Sequence, residues 1–335
     1  MVHLCIINPM AGQINGQVKK IENEIKSFFS AYPRMDYSIH ISRWKRDICG
    51  YILHYVNNAV DLVRIYAFGG TGTLFEVVNG VVGLPNVQVA WYPLGNDNTL
   101  LFTFGRKCLN AFQSLRNLSL SPVVSIDTIR MGNRNILCNA MIGIEAVSFM
   151  KGSQAADTFK LPRKPCYIAA GFFYTLLKSE IRNYRIEIES AVVEDSFLGF
   201  HVTSAVSYIT NAAASEVRIN DGYFDLYAFK PIPPGKLIVI INDYLRGKQI
   251  KWSNYVSHFR CKNLKISSSA VIPVSLDGEI YYESELSFQI LPGSLDFVCP
   301  MNITSAFLEL PPQEKRHVPP DEIFMPYITL DKEFL

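Results

Sequence analysis

At 335 residues, 49% hydrophobic and 19% charged, the chain is a globular sequence long enough for two domains with sizeable cores. A formal charge of +2, with neither half strongly basic, excludes a nucleic-acid footprint, and seven scattered cysteines with no CxxC pair exclude a disulfide framework or zinc site and read as reduced thiols. No apolar run reaches the roughly 18 residues that cross a bilayer, so the expected location is cytoplasmic, at most peripheral to a membrane.

The chain opens directly on a strand pattern at 2–7, with neither the basic n-region nor the cleavage site expected of a leader. A helix is expected over 15–31, where Val18, Ile21, Ile25 and Phe28 or Phe29 keep helical spacing. Strand 37–42, helix 48–57, strand 62–68, helix 74–82 and strand 87–92 follow. Strands separated by single helices predict a Rossmann-like α/β domain over residues 1–127, its parallel sheet covered on both faces. Ligands of such sheets sit beyond the carboxyl ends of the strands. Three loops fall at that edge: 8–12, 69–73 and 93–99.

After Asp127 the rhythm changes. Runs at 122–130, 135–141, 184–190, 197–208, 223–229, 255–259, 263–268, 271–276 and 286–290 read as strands, with helices at 143–151, 166–179 and 234–246. This predicts a mostly antiparallel β-sandwich with helical insertions over residues 128–300. Residues 301–335 form a C-terminal extension, and its proline-rich part from 311 onward reads as an arm laid over the surface.

Gly69-Gly70-Thr71-Gly72-Thr73 ends one apolar strand and opens a helix. Backbone N–H groups and the positive end of a helix dipole then face one point, and glycine lets an anion come close. The spacing is neither the dinucleotide fingerprint nor the Walker A loop. A phosphate site and a purely structural glycine turn both remain open on these residues alone.

Further pieces join this loop in order: Asn8-Pro9 with Gly12, Pro93-Leu94-Gly95 with Asn98, Ser125-Ile126-Asp127, Asn139 with Gly143, Asn220-Asp221-Gly222, and Leu276-Asp277-Gly278-Glu279. Together they resemble the diacylglycerol kinase/sphingosine kinase catalytic-domain superfamily, and most closely its soluble bacterial lipid kinases, over about residues 2–300. The resemblance implies ATP in the N-terminal domain, Mg²⁺ beside it, a lipid in the β-rich domain, and transfer of the γ-phosphoryl group to a lipid hydroxyl in the cleft between them. It implies that Asn8, Ser42, Gly69, Gly70, Thr71, Gly72, Thr73, Glu76, Gly95, Asn96 and Asn98 lie along the nucleotide. Asp277 is then the base that takes the acceptor proton, and Glu279 belongs to the metal–water network. Asp127 is expected in that network too. Asp221, with Arg218 and Tyr223, resembles a structural cation site. On the residues alone, Asp277-Gly278 and Asn220-Asp221-Gly222 also read as plain turns.

The chain departs from the family at two places. Thr71 stands where the family's glycine loop carries Asp, and an ungapped fit of the third loop places Thr99 at its final Asp. A gapped fit makes Asp97 the retained acid and a candidate metal ligand. Two readings follow: a working lipid kinase with a rebuilt metal site, or a nucleotide- or lipid-binding protein of the same fold without turnover. A kinase for a soluble acceptor, similar to NAD kinases, fits the β-rich half and the Asp277–Glu279 motif less well. On the membrane side, Phe159, Lys160, Leu161, Arg163 and Lys164 precede a helix bearing Phe172, Phe173 and Tyr174, a mixture of cations and aromatics that suits an anionic bilayer surface, or else a solvated loop. The partner expected is a lipid substrate at that surface, no nucleic acid, and a homodimer is left open.

Overall fold

The structure, a computed structural model, describes residues 1–300 and 303 except 13, 15, 45, 96–97, 106–107, 178–180, 190, 207–216 and 246–251, with the side chains of 244–245 also outside the description. The expected arm at 311–335 lies outside the described residues.

The N-terminal part alternates β1 (Val2–Ile7), α1 (Val18–Ser30), β2 (Tyr37–Ile41), α2 (Asp47–Asn57), β3 (Val63–Gly69), α3 (Thr71–Val81) and β4 (Val87–Pro93). All four strands are parallel, in the order β4-β3-β1-β2. Every residue of β3 is buried, as a central strand covered on both faces requires. α1 presents Ile21, Ile25 and Phe29 to the sheet, four residues apart on one stripe. The expected α/β alternation is therefore present.

Three short helices that the sequence pattern missed, α4 (Leu101–Phe104), α5 (Leu109–Phe112) and α6 (Leu115–Leu120), fill the passage to β5 (Val123–Met131). They seat Phe104 and Phe112 against Trp91 and Phe297. The chain continues with β6 (Arg134–Ile136), β7 (Asn139–Gly143), α7 (Ile144–Phe159), α8 (Arg163–Leu176), β8 (Arg182–Ile188), β9 (Ala191–Phe197), β10 (Gly199–Thr203), β11 (Phe224–Phe229), α9 (Pro234–Leu245), β12 (Val256–Cys261), β13 (Asn263–Leu276) and β14 (Glu279–Val298). These strands pair antiparallel. The single run expected at 197–208 is instead the end of β9 followed by β10. The segment expected to end at 290 is part of a 20-residue strand.

That strand, β14, joins the two halves. Its first part pairs with β13, its second part from Phe288 onward pairs with β5, and Phe297 lies beside Val89 of β4 in parallel. Pro292-Gly293 does not end it. The pair sits in an irregularity between Leu291 and Leu295, where Gly293 adopts φ +58°. One hydrophobic cluster underlies the parallel strands and takes in Leu295, Phe297 and Val298; a second, around Ile142, Phe200, Phe224, Val274 and Phe288, fills the β-rich part.

Candidate active site

The glycine loop lies where β3 meets α3. Gly70 is the N-cap of α3 and no side chain caps the helix, so the first-turn amides of Thr71, Gly72 and Thr73 are left facing outward. The absence of side chains here is a packing requirement. A Cβ on Gly69 would fall 2.2 Å from Thr73 Oγ1, and one on Gly95 would fall 2.4 Å from Gly70 Cα. The second and third loops thus touch backbone to backbone, tied by the Leu94 amide donating to Gly69 O at 3.0 Å. Trp91 Nε1 donates to the same carbonyl at 3.0 Å.

Asn8, at the end of β1, donates from Nδ2 to Thr73 Oγ1 at 2.9 Å, and its Oδ1 accepts the Met10 amide at 3.0 Å. The Ser42 amide donates to Ile7 O at 2.9 Å, which holds the end of β2 beside that of β1. Asn98, at φ +28°, folds its amide back on Gly95, accepting from its N–H at 3.0 Å and donating to its carbonyl at 2.9 Å. The two departures from the family pattern meet: the Thr99 amide donates to Thr71 Oγ1 at 3.1 Å. A hydroxyl therefore links the two loops where the resemblance places carboxylates. Asn96 and Asp97 lie outside the described residues.

Asp277 and Gly278 form the two-residue turn that joins β13 and β14 between the paired Leu276 and Glu279, with φ +46° and +98°. Two positive φ values in a two-residue hairpin favour Asp-Gly. The turn reading and the acid reading are both realised here. The Asp277 side chain curls inward: Oδ2 accepts the Leu137 amide at 2.7 Å, and Oδ1 accepts those of Cys138 at 2.9 Å and Asn139 at 2.8 Å. Burial pushes its carboxyl up to about 6, with the three amide donors pulling the other way. Glu279 points across the gap: its Oε1 stands 4.0 Å from where a Cβ on Gly72 would be.

A cavity of about 600 Å³ unites these parts. Asn8, Ser42, the loop residues 70–73, Glu76, Gly95, Asn98, Asp277 and Glu279 all line it. It also takes in Arg43, Trp44, Asn139, Phe149 and Tyr167, which the sequence reading passed over or left without a role, and Arg163. Trp44 is 65% exposed. An aromatic just past a strand at the ligand-bearing edge was the signal that could have found it. Arg163, expected in a segment suited to a bilayer surface or else in a solvated loop, lines this cavity and donates to Asp157 Oδ1 at 2.9 Å.

Phe149 and Tyr167 also border a second, apolar cavity of about 120 Å³ between α7, α8 and α9, lined by Ile144, Ile168, Leu198, Phe229 and Ile240 among others. Outside it, Phe159, Leu161, Phe173, Leu177, Ile238 and Val239 are exposed.

Two expected metal positions fall elsewhere. Asp127 does not border the main cavity; its oxygens accept the amides of Gly222 and Gly293, each at 2.7 Å, and its own N–H donates to Ile219 O at 2.8 Å. It staples the 219–222 turn and the β14 irregularity to β5, and burial pushes its carboxyl up to about 6. Asp221 lies in that turn with Arg218 and Tyr223, but its Oδ2 accepts from the Arg260 guanidinium, so these residues do not fit a cation held by Asp221. Among the described residues, no group of three or more His, Cys, Asp or Glu side chains is arranged to hold a metal ion.

Residues 3–131 match the family model of the diacylglycerol kinase catalytic domain. A "Probable lipid kinase YegS-like" of Shewanella frigidimarina (strain NCIMB 400) is 25% identical over 265 residues, covering 75% of this chain and 82% of that one. A diacylglycerol kinase of Staphylococcus carnosus (strain TM300) is 26% identical over 259 residues, covering 74% and 80%. Among solved structures, a diacylglycerol kinase from Bacillus anthracis str. Sterne shares the fold, with a TM-score of 0.63 at 20% identity over 90% of this chain and 98% of that one. With the α/β part, the antiparallel β-rich part and these relatives taken together, the chain is similar to the diacylglycerol kinase/sphingosine kinase-like superfamily, and its residues 3–131 carry the match to that catalytic domain.

Proposed function

We propose that the protein is an ATP-dependent lipid kinase that transfers the γ-phosphoryl group to the hydroxyl of diacylglycerol or a related lipid alcohol. The observation that supports this reading is the single cavity bounded by the uncapped amides of α3 on one side and by Asp277 and Glu279 on the other. Phosphoryl transfer asks chiefly for positioning and for donors on the phosphates, and the amide-rich bend offers both. The residues fit a triphosphate: α3 offers unpaired first-turn amides, and the glycine contact leaves no side chain in the way. Thr71, Gly72 and Thr73 would donate to it, and Trp44 at the rim offers an aromatic face to a base.

Mg²⁺ bound with the phosphates would supply charge neutralisation. In the cavity Glu279 and Glu76 are the acids that could hold it, through water or directly, with Thr71 contributing a neutral hydroxyl. Asp277 would accept the proton of the lipid hydroxyl, using the acceptor capacity that three amides leave it. The adjoining apolar cavity suits a hydrocarbon chain. The exposed apolar residues around α8 and α9, with Lys160 beside them, suit docking on an anionic bilayer. No described helix is long and apolar enough to cross one.

A second reading, nucleotide or lipid binding without turnover, is favoured by the Thr71–Thr99 contact, which puts neutral groups at both family acids. One experiment separates the two. Incubation with γ-labelled ATP, diacylglycerol vesicles and Mg²⁺ or Mn²⁺ yields labelled lipid under the first reading. Under the second, ATP raises the unfolding temperature but no lipid is labelled with any divalent ion.

A further inference from the structure

The 219–223 turn carries a built-in positive charge. Arg260, on the edge strand β12, lies opposite Asp225 in the β11–β12 register, yet Asp225 is taken by His258 Nε2 at 2.6 Å. Its guanidinium donates instead to Asp221 Oδ2, while Asp221 Oδ1 accepts the Tyr223 amide at 3.1 Å. Each oxygen of that carboxylate thus has an N–H donor, and its side chain is only 7% exposed. The Tyr223 ring closes the other side: the Arg260 guanidinium carbon lies 4.9 Å from its centroid, and Lys262 Nζ is also 4.9 Å away. A divalent ion on Asp221 would face the guanidinium at contact distance, a repulsion that a half-buried site screens poorly.

We infer that Arg260 does in this chain the work of a bound structural cation, neutralising Asp221 and locking the turn to β12, so that the turn takes up no divalent metal. The turn is held on its other face by Asp127 through the Gly222 amide at 2.7 Å, so the Arg260 contact links β12 to the junction of the two halves. The claim concerns the fold and stands whether or not the enzyme reading above holds.

Thermal unfolding of the full chain, with and without EDTA and in the absence of nucleotide, tests it together with metal analysis of the purified protein. The wild type is expected to carry no stoichiometric divalent metal and to melt at the same temperature in EDTA. Arg260→Gln leaves a mostly buried carboxylate without its counter-charge and lowers the midpoint by roughly 4–8 °C. In that variant about 5 mM Mg²⁺ or Ca²⁺, enough for a weak oxygen site, recovers at least half of the loss. If Arg260→Gln does not fold, Arg260→Lys replaces it, and this variant should keep most of the stability and remain insensitive to EDTA. A wild type that loses several degrees in EDTA, or that retains one divalent ion per chain, overturns the inference. So does an Arg260→Gln protein that melts like the wild type, or one whose loss no divalent ion recovers.

Discussion

Gly95→Ala probes the contact on which the phosphate-facing bend depends. Gly95 has no unusual φ, so the substitution acts by volume alone. Its new methyl would lie 2.4 Å from Gly70 Cα and 2.9 Å from Asn98 Oδ1. Non-bonded carbons settle about 3.5–4.0 Å apart, so the two loops must part by roughly 1–1.5 Å. That movement stretches the Leu94–Gly69 and Thr99–Thr71 hydrogen bonds, now 3.0 and 3.1 Å. A displacement of about 1 Å in a phosphoryl-transfer site costs on the order of 100-fold in rate. The expected outcome is a fall of that size in kcat/KM for ATP in the labelled-lipid assay, with weaker thermal stabilisation by a non-hydrolysable ATP analogue. Overpacking also costs about 1–3 kcal/mol of stability, so both assays are run well below the midpoint of unfolding. A Gly95→Ala protein with wild-type turnover and wild-type analogue binding would refute the idea that the loops' close approach builds the site.

If Asp277 is the base, kcat rises with pH through about 6 and levels above it, and a limb centred near 4 counts against that role. The linkage has the opposite sign for stability. The folded value lies above the ordinary 3.8, so the Asp277 contribution is complete below 3.8 and is lost as pH rises through about 6, a trend that chemical denaturation at several pH values measures. Asp277→Asn presents an NH₂ group to at least one of three amide donors, which costs roughly 1–3 kcal/mol from a mispaired buried group. It therefore lowers both the unfolding midpoint and, by more than about 100-fold, the turnover; an unchanged midpoint contradicts the three-amide geometry. Replacing exposed Phe159 and Phe173 together with Ser removes two side chains worth about 1–2 kcal/mol each at a bilayer surface, so binding to anionic vesicles weakens at least about 30-fold; equal co-sedimentation rules that face out. Gly50, exposed in α2 with no atom near its absent Cβ, becomes stabilising as Ala by roughly 0.5–1 kcal/mol in denaturant titrations.

The parallel half was legible because each of its strands and helices carries its own period, and because a glycine cluster between strand and helix has few other uses. Asp277 and Glu279 were legible as a motif, but the inward curl of Asp277 was not: its donors lie 138 to 140 residues away. The same distance problem hid the fate of Asp127, whose amide partners lie 95 and 166 residues off, and of Asp221, whose Arg260 lies 39 residues on. An acid in a turn looks like a ligand until its counter-charge is known. The short helices α4 and α5, of 4 residues each, are little more than one turn and leave no period to read. The run expected at 286–290 stops short of the strand's end because local turn chemistry does not reveal an irregularity, such as that at 292–294, where Gly293 donates to an aspartate of another strand.

The long strand β14 also bears on assembly during synthesis. Because Phe297, Val298 and their neighbours complete the nucleus beneath β4, the first hundred residues leave the ribosome with a greasy margin waiting for a partner nearly two hundred positions downstream. A nascent chain stopped before residue 295 would display that margin to chaperones and to other copies.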